Sequence, residues 1–136
     1  MNRQPITVLV VDDDESNRDL IDLILAQEPG IYYAIAAGGA NALSKLDTTP
    51  PDVIVTDLIM PKVSGEDVVK AARKRFPGIP IVAFSAQAEG AEIDRSKHLG
   101  SEQVVYLRKP FDIKLLVNLI RELAAQSAWR LAPAPA

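Results

Sequence analysis

Three short apolar runs rich in β-branched residues punctuate the chain: Ile6–Val11 (ITVLVV), residues 53–56 (VIVT) and residues 79–84 (IPIVAF). None alternates with polar positions, which is the pattern of strands buried on both faces. Residues 32–36 (YYAIA) and 104–107 (VVYL) carry a weaker form of the same signal and bring the predicted strands to five. Between these runs the period changes. Leu20, Ile21, Ile24 and Leu25 recur at helical spacing, as do Val68, Val69, Ala72 and Phe76, while Leu115, Leu116, Leu119, Ile120 and Leu123 form the cleanest stripe. Asp112 stands where an N-cap would open that last helix. Two further helices are expected over residues 40–46 and 88–99.

Strand and helix alternate strictly, with turn signals at Pro29-Gly30, Pro50-Pro51, Pro77-Gly78 and Gly100. Such alternation predicts right-handed βαβ units and therefore an α/β fold, a five-stranded parallel sheet with helices on both faces. Residues 132–136 (APAPA) cannot continue a helix, because proline lacks the amide donor. Residues 1–128 are read as one domain and residues 129–136 as a disordered tail or a truncated linker.

Composition narrows the function. The 136 residues are 48% hydrophobic, enough for one compact core with little left for a second. Fifteen Lys and Arg against eighteen Asp and Glu leave a net charge of -3, so no global positive field draws nucleic acid, and direct nucleic-acid binding is disfavoured. No apolar run approaches the roughly 20 residues that cross a bilayer. The N-terminus has no basic segment followed by an apolar stretch and a cleavage site. The expectation is a soluble cytoplasmic protein without membrane contact. There are no cysteines, which leaves the chemistry to carboxylates, hydroxyls and amines.

In open parallel sheets, ligands bind outside the carboxyl ends of the strands. Asp12 and Asp13 close the first run and Asp57 closes the third; in the strand order 2-1-3-4-5 those two strands are neighbours. Two carboxylates about 4 Å apart repel by roughly 4 kcal/mol at an effective dielectric of about 20, so three that converge require a cation. Mg²⁺ suits two or three carboxylates better than Ca²⁺, which takes a fuller oxygen cage. The plainer reading is that acids after strands cap the next helix. A second acidic strand end aligned with the first argues against it. Ser85 follows the fourth run, and Lys109-Pro110 lies just beyond the fifth. A carboxylate nucleophile, a metal, a hydroxyl and a lysine on one rim are what phosphoryl transfer to aspartate requires.

Four motifs in order, Val10-Val11-Asp12-Asp13, Asp57-Leu58-Ile59-Met60-Pro61 with Gly65, Phe84-Ser85-Ala86, and Tyr106-Leu107-Arg108-Lys109-Pro110-Phe111, resemble the response-regulator receiver domain of two-component signalling. The likeness runs over residues 6–125 and implies a flavodoxin-like, doubly wound sheet. It further implies that Asp57 is the phosphoacceptor, served by a partner histidine kinase or histidine phosphotransfer protein. Asp12, Asp13, Asp57 and the backbone carbonyl of Ile59 would surround the Mg²⁺. Lys109 would contact the phosphoryl group from a cis Lys109-Pro110 peptide. Ser85 and Tyr106 would form the switch, the hydroxyl turning to the phosphoryl group as the ring moves inward. Switching a population from about 1:99 to 99:1 needs roughly 5.5 kcal/mol between states, a scale that several charge-assisted hydrogen bonds reach together. The fourth helix, fifth strand and last helix would then present a face to a downstream protein or output domain. A domain of this kind catalyses only its own phosphorylation and dephosphorylation and is not an enzyme in the turnover sense. One departure stands out: residues 100–106 (GSEQVVY) are longer than the family's usual turn into the last strand, while the segment 57–85 is correspondingly short. A shifted or irregular fourth helix is expected.

His98 is the only histidine and lies off the strand ends, so a phosphohistidine donor must come from a partner. Trp129 either packs the end of the last helix or anchors a homodimer or a partner. Two rival readings have different chemistry. A haloacid-dehalogenase-type phosphatase also uses an aspartate and Mg²⁺ after its first strand, but Asp12-Asp13-Asp14-Glu15-Ser16 meets its Asp-x-Asp-x-Thr/Val pattern only in part. A pseudo-receiver that only binds proteins has no need of the acidic set together with Ser85 and Lys109.

Overall fold

A computed structural model describes residues 5–48, 50–57, 65–85, 104–108 and 112–126. The chain runs β1 (Ile6–Val11), α1 (Glu15–Leu25), β2 (Ile31–Ala36), α2 (Gly39–Thr48), β3 (Val53–Asp57), α3 (Gly65–Arg75), β4 (Ile81–Ser85), β5 (Val104–Arg108) and α4 (Ile113–Gln126). The five strands form one parallel sheet, as the alternation predicts, in the order β2-β1-β3-β4-β5 that the resemblance implies. Each predicted strand is present, and the structure extends β3 to include Asp57 and β4 to include Ser85. The expected helix over 88–99 and the long approach to β5 at 100–103 lie outside the described residues, as do His98, Trp129 and the tail.

Side chains on a strand point alternately to opposite faces, and that alternation sorts the core into two layers. Val8 and Val10 of β1, Val53 and Val55 of β3, Val82 and Phe84 of β4, and Val105 and Leu107 of β5 pack with Ile21 and Leu25 of α1 and with Leu116, Ile120 and Leu123 of α4. The complementary positions Leu9, Val11, Ile54, Ile81, Ala83 and Tyr106 pack with Ala42 and Leu46 of α2 and with Val68, Val69 and Ala72 of α3. Central strands therefore need apolar residues at every position, which is why they read as unbroken runs. The edge strand β2 buries only Ile31 and Ala36 at its ends, and its signal in the sequence is weaker for that reason.

Local chemistry sets the connections. Asp14 caps α1 by accepting the Ser16 amide at 2.8 Å, and Asp112 caps α4 by accepting the amides of Lys114 at 2.8 Å and Leu115 at 3.4 Å. Gly30 and Gly78, the second residues of the two Pro-Gly pairs, hold φ values of 77° and 85°, a region that an L side chain enters only with strain. Arg121 of α4 donates to the Glu28 carboxylate at 3.1 Å and to the Pro29 carbonyl at 3.0 Å, fastening the last helix to the turn after α1. The Tyr33 hydroxyl donates to the Asp22 carboxylate and ties β2 to α1. That bond, with a smaller contribution from burial, holds the phenol above its usual pKa.

Asp52 is a buried acid at the opposite end of the sheet from the acidic cluster. Its carboxylate accepts the Thr7 amide at 2.8 Å, while its own amide donates to the Thr7 carbonyl at 2.7 Å. The pair locks β3 against β1 where the strands enter the sheet. Asp52→Ala is expected to cost about 1.5–3 kcal/mol in urea unfolding, the usual worth of a hydrogen bond to a charged group. Ligand binding at the far rim should be unaffected. A loss well under 1 kcal/mol would show that the backbone bond alone holds the strands.

Candidate functional site

Strand register brings the acids together. Val8 lies opposite Val53 and Val10 opposite Val55 across β1 and β3, both pairs facing the α1 and α4 layer. One further step of two residues puts Asp12 beside Asp57 on that same face. Asp12 keeps the course of β1, because its amide still donates to the Ala36 carbonyl of β2 at 3.2 Å. Two rows of valine thus end in two carboxylates on neighbouring strands. Asp13 completes the group: one carboxylate oxygen from each of Asp12, Asp13 and Asp57 lies within 4.8 Å of the others.

Burial differs across the three. Asp12 is fully buried, Asp57 is 7% exposed, and Asp13 is open to solvent. Of the described polar residues that are buried, Asp12, Thr56 and Asp57 belong to this rim, whereas Asp52 stands alone at the other end. At 4.8 Å each pair of ionised carboxylates repels by roughly 3.5 kcal/mol at an effective dielectric of about 20. A hard divalent cation relieves that repulsion. Its octahedral bonds of about 2.0–2.1 Å set oxygens roughly 3–4 Å apart, so the cluster fits such an ion after small side-chain rotations.

The surroundings hold the acids in place. Asp12 Oδ1 accepts the Asp14 amide at 2.8 Å and Asp12 Oδ2 accepts the Asn17 side-chain amide at 3.3 Å. Arg18 donates to the Asp12 backbone carbonyl at 2.9 Å. The buried Thr56 hydroxyl donates to the Asp57 carbonyl at 2.9 Å, fixing the backbone on the far side of the nucleophile candidate. Asp57 is in register with Phe84 of β4, which is fully buried.

Of the remaining residues singled out by sequence, Ser85 is the last residue of β4 and is in register with Arg108 of β5. Tyr106 is 5% exposed and packs in the α2 and α3 layer. Ile59, Lys109 and Pro110 lie outside the described residues. The plainer reading of the acids after β1 applies to Asp14, which caps α1, and not to Asp12 or Asp13. Sequence reasoning passed over Asn17, Arg18 and Thr56. Thr56 is a polar residue inside an apolar run, a signal that was present. Asn17 and Arg18 are ordinary polar residues of a helix start, and only the fold shows them reaching back to Asp12.

Comparison with known proteins gives a consistent picture. The sequence model described as the response regulator receiver domain matches residues 8–121. The chain is 35% identical over 120 residues to a protein of Mycobacterium tuberculosis named Probable transcriptional regulatory protein TcrX, covering 88% of this chain and 50% of that one. The chain spans about half the length of the first curated relatives it matches. Among solved structures, the Francisella response regulator 1452 receiver domain superposes with a TM-score of 0.76 at 31% identity, covering 89% of this chain and 98% of that one. The Vibrio cholerae chemotaxis protein CheY4 gives 0.73 at 28% identity, covering 88% and 98%.

Proposed function

The chain belongs to the response regulator receiver domain family, and from that premise we propose that it accepts a phosphoryl group on Asp57 beside a Mg²⁺ held among Asp12, Asp13 and Asp57. The observation that carries this reading is the convergence of those three carboxylates at the carboxyl ends of β1 and β3. An Asp57 oxygen attacks the phosphorus of a phosphohistidine on a partner histidine kinase or histidine phosphotransfer protein. The P–O bond forms as the P–N bond breaks, and the electron pair leaves with the imidazole nitrogen. Mg²⁺, when bound, neutralises charge on the phosphoryl oxygens and on the acids. Asp12, anchored at both oxygens, offers a fixed orientation toward the cation.

The resemblance adds the residues on the same rim. By that resemblance the Ile59 carbonyl would complete the cation's protein ligands, Lys109, with a cis bond to Pro110, would contact the phosphoryl oxygens, and Ser85 would donate its hydroxyl to them. Tyr106, already turned inward in the α2 and α3 layer, stabilises the state in which Ser85 is engaged. The recipient of the signal is a downstream protein or an output domain. The transcriptional naming of TcrX supports a regulator of that kind, since the chain matches only half of that protein.

The test is stoichiometry. Incubation with acetyl phosphate and Mg²⁺ should add one phosphoryl group per chain, read by intact-mass spectrometry, with no sustained turnover of phosphomonoesters. Many turnovers would favour the phosphatase reading. No adduct, together with failure to bind Mg²⁺ and beryllofluoride, would leave a protein-binding module.

A further inference from the structure

Two residues in the opening turn and a half of α1 reach back to the acidic rim without belonging to its metal-ligand set. Asn17 and Arg18 lie five and six residues beyond Asp12, and both side chains are half-buried. Asn17 Nδ2 donates to Asp12 Oδ2 at 3.3 Å, and Arg18 Nη1 donates to the Asp12 carbonyl at 2.9 Å. The orientation of the Asn17 amide is fixed by chemistry: an ionised carboxylate only accepts, so the NH₂ end must face it. The Arg18 backbone is itself held by the first helical bond, its amide donating to Asp14 at 3.0 Å. The start of α1 therefore grips Asp12 twice, once at the carboxylate and once at the main chain.

We propose that Asn17 and Arg18 are positioning residues that hold Asp12, and through its main chain the adjoining Asp13, in the orientation the cation requires. The proposal rests on the metal-dependent receiver reading above. A fully buried Asp12 with both oxygens anchored cannot swing away from its acidic neighbours, although their repulsion favours that movement. Asn17 sets the carboxylate plane. Arg18 fixes the peptide from which Asp12 and Asp13 both project. Outer partners of this kind typically govern metal affinity by 10–100-fold.

The experiment is isothermal titration of the full chain with Mg²⁺ alone, for wild type, Asn17→Ala and Arg18→Met. Thermal midpoints and phosphoryl uptake from acetyl phosphate are measured across a Mg²⁺ series. Each variant is expected to raise the Mg²⁺ dissociation constant by roughly tenfold or more. The defect in uptake should fall on the Mg²⁺ concentration for half-maximal rate, not on the rate at saturation, and thermal midpoints should stay close to wild type. A dissociation constant within twofold of wild type in both variants would overturn the proposal while leaving the metal site standing. So would losses that follow the thermal midpoint and are not recovered by added Mg²⁺, since these mark a structural role. A wild type that binds no Mg²⁺ would overturn the underlying reading instead.

Discussion

Asp57→Asn is expected to take up no detectable phosphoryl group from acetyl phosphate under conditions in which the wild type takes up one. The amide has the shape of the carboxylate, so β3 should keep its register with Phe84, but its oxygen is a poor nucleophile and no longer an anionic metal ligand. The substitution also removes one of three negative charges that lie within 4.8 Å, each pair repelling by roughly 3.5 kcal/mol at an effective dielectric of about 20. In metal-free buffer the variant should therefore be no less stable than wild type, and in Mg²⁺ it should gain less stability than wild type does. Loss of labelling with an intact thermal transition isolates chemistry from folding. An adduct of wild-type stoichiometry on Asp57→Asn would sink the assignment, and peptide mapping would then locate the acceptor at Asp12, Asp13 or elsewhere.

The same residues show why some of the site could be read from sequence and some could not. Val8, Val10 and Asp12, like Val53, Val55 and Asp57, are alternate positions on neighbouring strands, so parity and strand order together predict that the acids meet. That inference needs only the two-residue repeat common to all strands and the order 2-1-3-4-5, which the family resemblance supplies. The edge strand was less legible, because β2 leaves Tyr32 exposed and half-buries the residues after it. Asn17 and Arg18 could not be read at all. Their contacts depend on the path from β1 through Asp13 and Asp14 into α1, which no periodicity encodes. Asp52 was missed for a related reason: an acid beside two prolines looks like a turn residue until its carboxylate is seen on the Thr7 amide. Side-chain reach decided each of these, across a turn for Asn17 and Arg18 and across to the neighbouring strand for Asp52, not spacing along an element.

Phe84→Ala should be the most destabilising single change at the rim of the sheet. Phe84 is fully buried, the bulkiest of the completely buried side chains among the described residues, and it belongs to the layer shared with α1 and α4. Its truncation removes the transfer energy of a ring and leaves a cavity that packed strands on either side cannot close, a combined cost of about 3–5 kcal/mol. Against a typical total of about 5–15 kcal/mol that is a large fraction, and it corresponds to a fall of roughly 10–20 °C in thermal midpoint for a domain of this size. Phe84→Leu, which refills most of the space, should cost clearly less. At a temperature where Phe84→Ala remains folded, phosphoryl uptake should persist, because the carboxylates come from β1 and β3 and their register is set by the valine rows and not by the ring. Urea unfolding measures the first effect and acetyl phosphate labelling the second. A stability loss below about 1 kcal/mol would contradict full burial of the ring, and loss of labelling in the folded variant would show that Phe84 itself holds Asp57 in place.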